Sequence, residues 1–157
     1  MTWNSDVHGQ VFKAKEIKLY KDGAHTWAMK LSQLAKQSGR VRIVTYSLPD
    51  IDYAKKQIGR RPRDLFIVCH EKFKDQAEQL KRAFPDVQIA VNERVHSKVC
   101  LIAPETVYIG SANFGLSRYH ETEVGIRSEE AHDWYVENSF NPLWDSSKKI
   151  PPATPGT

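Results

Sequence analysis

The sequence predicts an α/β domain: a mixed β-sheet flanked by helices on both faces. Three observations lead there. Short β-branched apolar runs alternate with amphipathic helical runs, the order expected of parallel strands joined by crossover helices. The stretch from Val95 to Gly115, VHSKVCLIAPETVYIGSANFG, reads instead as two apolar strands joined by a turn, which adds an antiparallel hairpin. Finally, 157 residues suit one folding unit with a single substantial core. That unit is expected over 1–150, and the tail 151–157, PPATPGT, is rich in proline and poor in apolar side chains, a composition that favours disorder.

The elements follow in order. Residues 26–38 (TWAMKLSQLAKQS) place Trp27, Leu31 and Leu34 at helical spacing, and Gly39 supplies a stop. Residues 41–48 (VRIVTYSL) are β-branched and bounded by Gly39 and Pro49, so they read as a strand. A short helix fits 50–58, a buried strand 65–69 (LFIVC), and an amphipathic helix 75–84 (DQAEQLKRAF) that Pro85 ends. Residues 87–91 (VQIAV) are again strand-like. After the hairpin, 123–127 (EVGIR) form another strand, and a helix over about 129–140 is expected to bring Trp134 and Val136 onto the core.

Composition narrows the function classes. With 40% hydrophobic and 27% charged residues and no apolar run near the ~20 residues needed to span a bilayer, the chain does not read as a transmembrane protein. The first twenty residues lack the basic start, apolar centre and cleavage site of a signal peptide, so a cytoplasmic location is expected. Cys69 and Cys100 lie inside apolar runs, where free thiols behave as small buried hydrophobes. The net charge of +4 favours an anionic partner. Lys55, Lys56, Arg60, Arg61 and Arg63 cluster in KKQIGRRPR, which taken alone fits a solvated basic loop as well as a phosphate-tracking, substrate-binding surface.

The hairpin carries the chemistry. If 96–103 and 106–113 are strands joined through Pro104 and Glu105, paired positions sum to 209. Lys98 then faces Ser111 and His96 faces Asn113, with all four side chains on one side. An imidazole, an ammonium, a hydroxyl and a carboxamide together make one nucleophile or base with several donors for anionic oxygens, which suits phosphoryl chemistry.

The spacing H-x-K, eleven residues, then G-S-x-N, here His96, Lys98, Gly110, Ser111 and Asn113, resembles the HKD motif of the phospholipase D superfamily. The SANFG ending and the acidic Glu123 before a short strand extend the likeness. One position departs from it: Ala103 stands where the family usually has aspartate, and its parity in a regular strand points it away from His96 and Lys98. The resemblance implies a phospholipase D-like fold and a metal-independent phosphodiesterase without a cofactor. It also implies a catalytic set of His96, Lys98, Ser111, Asn113 and Glu123, with Glu123 fixing the tautomer of His96. Because the family mechanism uses two histidines and this chain has one H-x-K, a homodimer with a composite site and a phosphohistidine intermediate is expected.

Other groups are secondary. His70 follows a predicted strand, His120 lies in YHETE beside two glutamates, and Tyr46 and Ser47 end the first strand, where Ser47 is expected to touch substrate. No convincing metal cluster is present, nor a basic amphipathic helix for membranes. Nucleic acid is the expected partner, with DNA preferred by family resemblance and RNA possible. The alternatives are a lipid hydrolase or transferase of the same superfamily and a non-catalytic nucleic-acid-binding dimer.

Overall fold

The computed structural model describes residues 2–6, 9–14, 16–21, 38–59, 63–115, 117 and 119–152. Its centre is a ten-stranded mixed sheet with helices on both faces, as the sequence predicts. The strands are β1 (Thr2–Asp6), β2 (Gly9–Ala14), β3 (Ile17–Lys21), β4 (Val41–Thr45), β5 (Leu65–His70), β6 (Gln88–Asn92), β7 (Val99–Ile102), β8 (Thr106–Gly110), β9 (Thr122–Arg127) and β10 (Lys148–Lys149). Their order is β1-β2-β3-β9-β8-β7-β4-β5-β6-β10, with β4, β5 and β6 parallel and the remaining pairs antiparallel.

One sheet face buries Val41, Ile43, Ile67, Ile89, Cys100, Ile102 and Tyr108 against helices α1 (Ile51–Ile58) and α2 (Lys74–Ala83). Alternation along the strands sends Val44, Val68, Ala90, Leu101 and Val107 to the opposite face, where they meet Val136 and Phe140. These belong to a helical run formed by α3 (Glu129–Tyr135), a π-helical turn (Val136–Phe140) and α4 (Asn141–Ser146). Asp50 caps α1 by accepting from the Asp52 and Tyr53 N–H groups, and Pro85 follows soon after α2. Cys69 and Cys100 are free and buried, and burial pushes the Cys69 thiol up to about 12, so it stays protonated and inert.

Several expectations change. The hairpin is shorter than predicted: β7 starts at Val99 and β8 ends at Gly110, so His96, Lys98, Ser111 and Asn113 lie just beyond the ladder. Its register sums to 208, with Cys100 opposite Tyr108, because the loop holds three residues. The Ala103 N–H is drawn to the Arg40 carbonyl and Pro104 has no N–H to give, so pairing stops at Ile102 and Thr106. Trp134 does not cap the core but is 62% exposed, since it lies on the side of α3 turned from the sheet, while Val136 is buried as expected. The strand expected over 41–48 ends at Thr45, and strands β1 to β3, β10 and helix α4 are not among the elements the sequence predicts. The helix expected over 26–38 lies, except for Ser38, outside the described residues, as does the tail from 153 onward.

Candidate active site

Because β4, β5 and β6 run parallel and β7 runs against β4, one end of the sheet gathers the ends of β4 to β6, the start of β7, the end of β8 and the start of β9. Open sheets of this kind place functional groups at that end. His96, Lys98, Asn113, Glu123, Tyr46 and Ser47 all belong to it.

Tyr46 ties the group together. Its ring centroid lies 5.4 Å from that of His96, and the Lys98 ammonium stands 6.0 Å from it, at the outer reach of a cation–π contact. Its backbone N–H donates to Asn113 Oδ1 at 3.2 Å, and the Ser47 N–H reaches the same oxygen at 3.4 Å. With that oxygen occupied, the Asn113 NH₂ is the half of the amide left to bind an anionic oxygen. Thr45, fully buried, anchors the same loop from below. Its hydroxyl accepts from the Phe114 N–H at 2.8 Å and donates to the Ser47 carbonyl at 2.9 Å. Lys98 Nζ donates to the His96 carbonyl at 2.7 Å and lies 3.5 Å from His96 Nδ1, too long to fix the ring tautomer.

Glu123 is only 5% exposed and stands in β9 directly across from Gly110. The Gly110 N–H in turn donates to the Lys98 carbonyl at 3.2 Å. Lys98 just before β7, Gly110 in β8 and Glu123 in β9 therefore form one row, with two strand spacings, about 10 Å, between the Lys98 and Glu123 backbones and no side chain on Gly110 between them. This row projects from the same face as Cys100 and Tyr108.

Ser111 departs from the expected set. Its hydroxyl donates to Glu121 and accepts from the Thr122 N–H at 3.0 Å, and Ser117 donates to the other Glu121 oxygen at 2.8 Å. The shifted register and the end of the ladder at Gly110 turn Ser111 toward this loop clasp rather than toward Lys98. Ala103 sits in the turn at the far end of β7, away from the whole group.

The basic run is divided. Lys55 and Lys56 are exposed on the last turn of α1, while Arg60 and Arg61 lie outside the described residues. Arg63 precedes β5, at the opposite end of the sheet, with Asp86 3.9 Å away. Sequence reasoning missed two exposed cations at the site end: Lys72, just after β5, and Arg94, just after β6, neither ion-paired among the described residues. Their positions after predicted buried strands were the available signal. His70 closes β5, with its ring 4.8 Å from Tyr46 and Nδ1 accepting from the Lys72 N–H at 3.1 Å, while His120 is exposed on the loop before β9. Among the described residues no group of three or more His, Cys, Asp or Glu could hold a metal ion, and no helix is long and apolar enough to cross a membrane.

Known proteins share this fold. A family model described as the cardiolipin synthase, phospholipase D-like domain matches residues 19–144. No curated protein matches. The phospholipase D family member Nuc from Salmonella typhimurium superposes with a TM-score of 0.69 at 18% identity, covering 85% of this chain and 97% of Nuc. NucT from Helicobacter pylori gives 0.62 at 18% identity, covering 86% of this chain and 100% of NucT. The archaeal chromatin protein TrmBL2, whose structure shows a novel mode of DNA binding, gives 0.63 at 12% identity, covering 88% of this chain and 54% of TrmBL2.

Proposed function

Since the chain belongs to the phospholipase D superfamily, we propose that it is a metal-independent phosphodiesterase, a nuclease that cleaves DNA through a phosphohistidine in a homodimeric active site. The observation that carries this reading is Tyr46, whose ring lies against His96 and near Lys98 while its N–H orients Asn113. A nucleophile, a cation and an amide donor are thereby held around one point.

In this reading a His96 nitrogen attacks phosphorus and the bond to the leaving oxygen breaks. His96 of the partner subunit gives that oxygen its proton. The same partner histidine then takes a proton from water as the water displaces phosphate from His96. The Lys98 ammonium and the Asn113 NH₂ hold the non-bridging oxygens as charge develops. Glu123 accepts from the second ring nitrogen of His96 and stabilises its cationic form. Ser111 acts through the loop that carries Asn113. Nucleic acid is favoured over lipid by Lys72 and Arg94 at the site end, and the similarity to TrmBL2, whose structure shows a novel mode of DNA binding, supports the same choice.

The test is incubation of purified protein with plasmid and single-stranded DNA in excess EDTA, beside His96→Ala. Cleavage that persists in EDTA and vanishes in the variant is expected. Loss in EDTA restored by Mg²⁺ or Zn²⁺ makes this a metal nuclease. DNA binding without cleavage makes it a binding dimer, and cleavage of phospholipid vesicles alone makes it a lipase.

A further inference from the structure

Beside Asn113 the surface opens into a cleft of about 450 Å³, within the range of small-molecule sites. Its lining includes Ser47, Asp50, Asn113, Ser117, Tyr119 and Glu121. Among the described residues the two flanks of the proposed catalytic group differ in charge. Lys72 and Arg94 stand beyond the His70 and His96 side, whereas the cleft on the Asn113 side carries two carboxylates and no lysine or arginine among the described residues. In the proposed mechanism a chain entering the site lays its phosphates along Lys72 and Arg94.

The cleft's own groups define what it takes. Tyr119 is 82% exposed and has no aromatic partner among the described residues, which leaves a flat ring face open at the rim. Asp50 uses Oδ1 to cap α1, at 3.1 Å from the Asp52 N–H and 3.0 Å from the Tyr53 N–H, and its other oxygen makes no hydrogen bond among the described residues. Glu121 accepts from Ser111 and Ser117, one per oxygen, and each carboxylate oxygen has a second lone pair. Gly115 shapes the wall: it adopts φ +144°, which L side chains rarely adopt, and a Cβ there would lie 3.2 Å from Pro49. The complementary group is flat, neutral and rich in N–H donors.

We propose that this cleft is a nucleobase subsite next to the scissile phosphate, and that it selects bases with an exocyclic amino group over thymine. The assignment rests on the phosphodiesterase reading above. A stacked base gains from Tyr119 whatever its identity, and a carboxylate accepts from an amino group such as N4 of cytosine but meets an oxygen in thymine.

The experiment compares kcat/KM for three diesters: d(CpC), d(TpT) and the base-free bis(p-nitrophenyl) phosphate. The expected wild-type preference for d(CpC) over d(TpT) is about tenfold. Tyr119→Ala lowers the rates on both dinucleotides relative to the base-free diester. Asp50→Asn, which keeps a competent helix cap, moves the d(CpC) to d(TpT) ratio toward one. Equal wild-type rates on the two dinucleotides, or a ratio that Asp50→Asn leaves untouched, overturns the subsite while the phosphodiesterase reading stands. If none of the three diesters is hydrolysed, that reading falls, and titration with deoxycytidine and thymidine decides the subsite alone. Amide NMR shifts at Gly115 and Ser117 with deoxycytidine only, lost in Tyr119→Ala, uphold it, and their absence overturns it.

Discussion

Gly110 stands directly opposite Glu123 across the β8–β9 pair, so close that a Cβ on Gly110 would lie 2.9 Å from the Glu123 Cβ and 2.5 Å from the Thr122 carbonyl oxygen. Neither neighbour is the far end of a flexible side chain, so Gly110→Ala must push β8 and β9 apart. The expected cost is about 1–3 kcal/mol, as for other insertions into tight packing. Thermal melts should show the loss of stability, and kcat should fall because Glu123 is displaced. Glu123→Gln, nearly isosteric, should lower kcat with a smaller change in melting temperature. An alanine variant with wild-type melting and turnover would show that the gap between Lys98 and Glu123 is not needed.

In the proposed mechanism Asn113 divides its amide between two tasks, and substitution can separate them. In Asn113→Asp the carboxylate still accepts the Tyr46 and Ser47 N–H groups, so the loop stays anchored. The NH₂ is replaced by an oxygen that faces the substrate phosphate. The expected result is near wild-type melting with kcat/KM reduced by about 10²-fold or more. Asn113→Ala should lose both anchorage and activity. If the aspartate variant retains full turnover, Asn113 serves only to hold the loop.

What the sequence reveals follows from the range of the interactions involved. His96 and Lys98 are legible because a two-residue spacing and one strand suffice to place them together. The bond from Tyr46 to Asn113 spans 67 residues and becomes visible only when the loop after β8 reaches past β7 to the end of β4. The one-residue register error in the hairpin has the same origin, since the Ala103 N–H is claimed by Arg40, outside the hairpin. Strand β3 escapes because Ile17 and Leu19 remain half-exposed rather than joining the core, and its partner β9 lies about a hundred positions away. The parallel strands β4, β5 and β6 are legible because both their faces are buried, which leaves continuous apolar runs, although β4 stops at Thr45, short of the 41–48 expected.

The position of the cations predicts how binding responds to salt. Lys72 and Arg94 stand at the same sheet end as His96, while Arg63 lies at the other end beside Asp86. For DNA binding by an inactive His96→Ala protein, Lys72→Gln and Arg94→Gln should each reduce the slope of log K against log salt by about one unit. Arg63→Gln should leave it near the parent value. The reverse pattern, with the slope falling on substitution of Lys55, Lys56 or Arg63, would assign the phosphate path to the basic run that follows β4.

With a single H-x-K motif per chain, catalysis in the proposed mechanism belongs to the dimer. If each composite site needs His96 from one subunit as nucleophile and His96 from the other as acid, a heterodimer of wild type with His96→Ala contains no complete site. Inactive subunits then silence active ones. At an equal mixture with random exchange about a quarter of the dimers carry two intact chains, so activity should fall toward that fraction. The competing arrangement uses a histidine of the same chain, and His70 is the placed candidate because its ring lies 4.8 Å from the Tyr46 ring that also contacts His96. Under that arrangement activity tracks the fraction of intact chains and falls only to half, and His70→Gln abolishes turnover without changing the mixing curve. Subunit exchange must be verified by mass-tagged chains, and sedimentation must show the dimer. Retained half-activity after complete exchange would refute the shared site while leaving His96 as the attacking group.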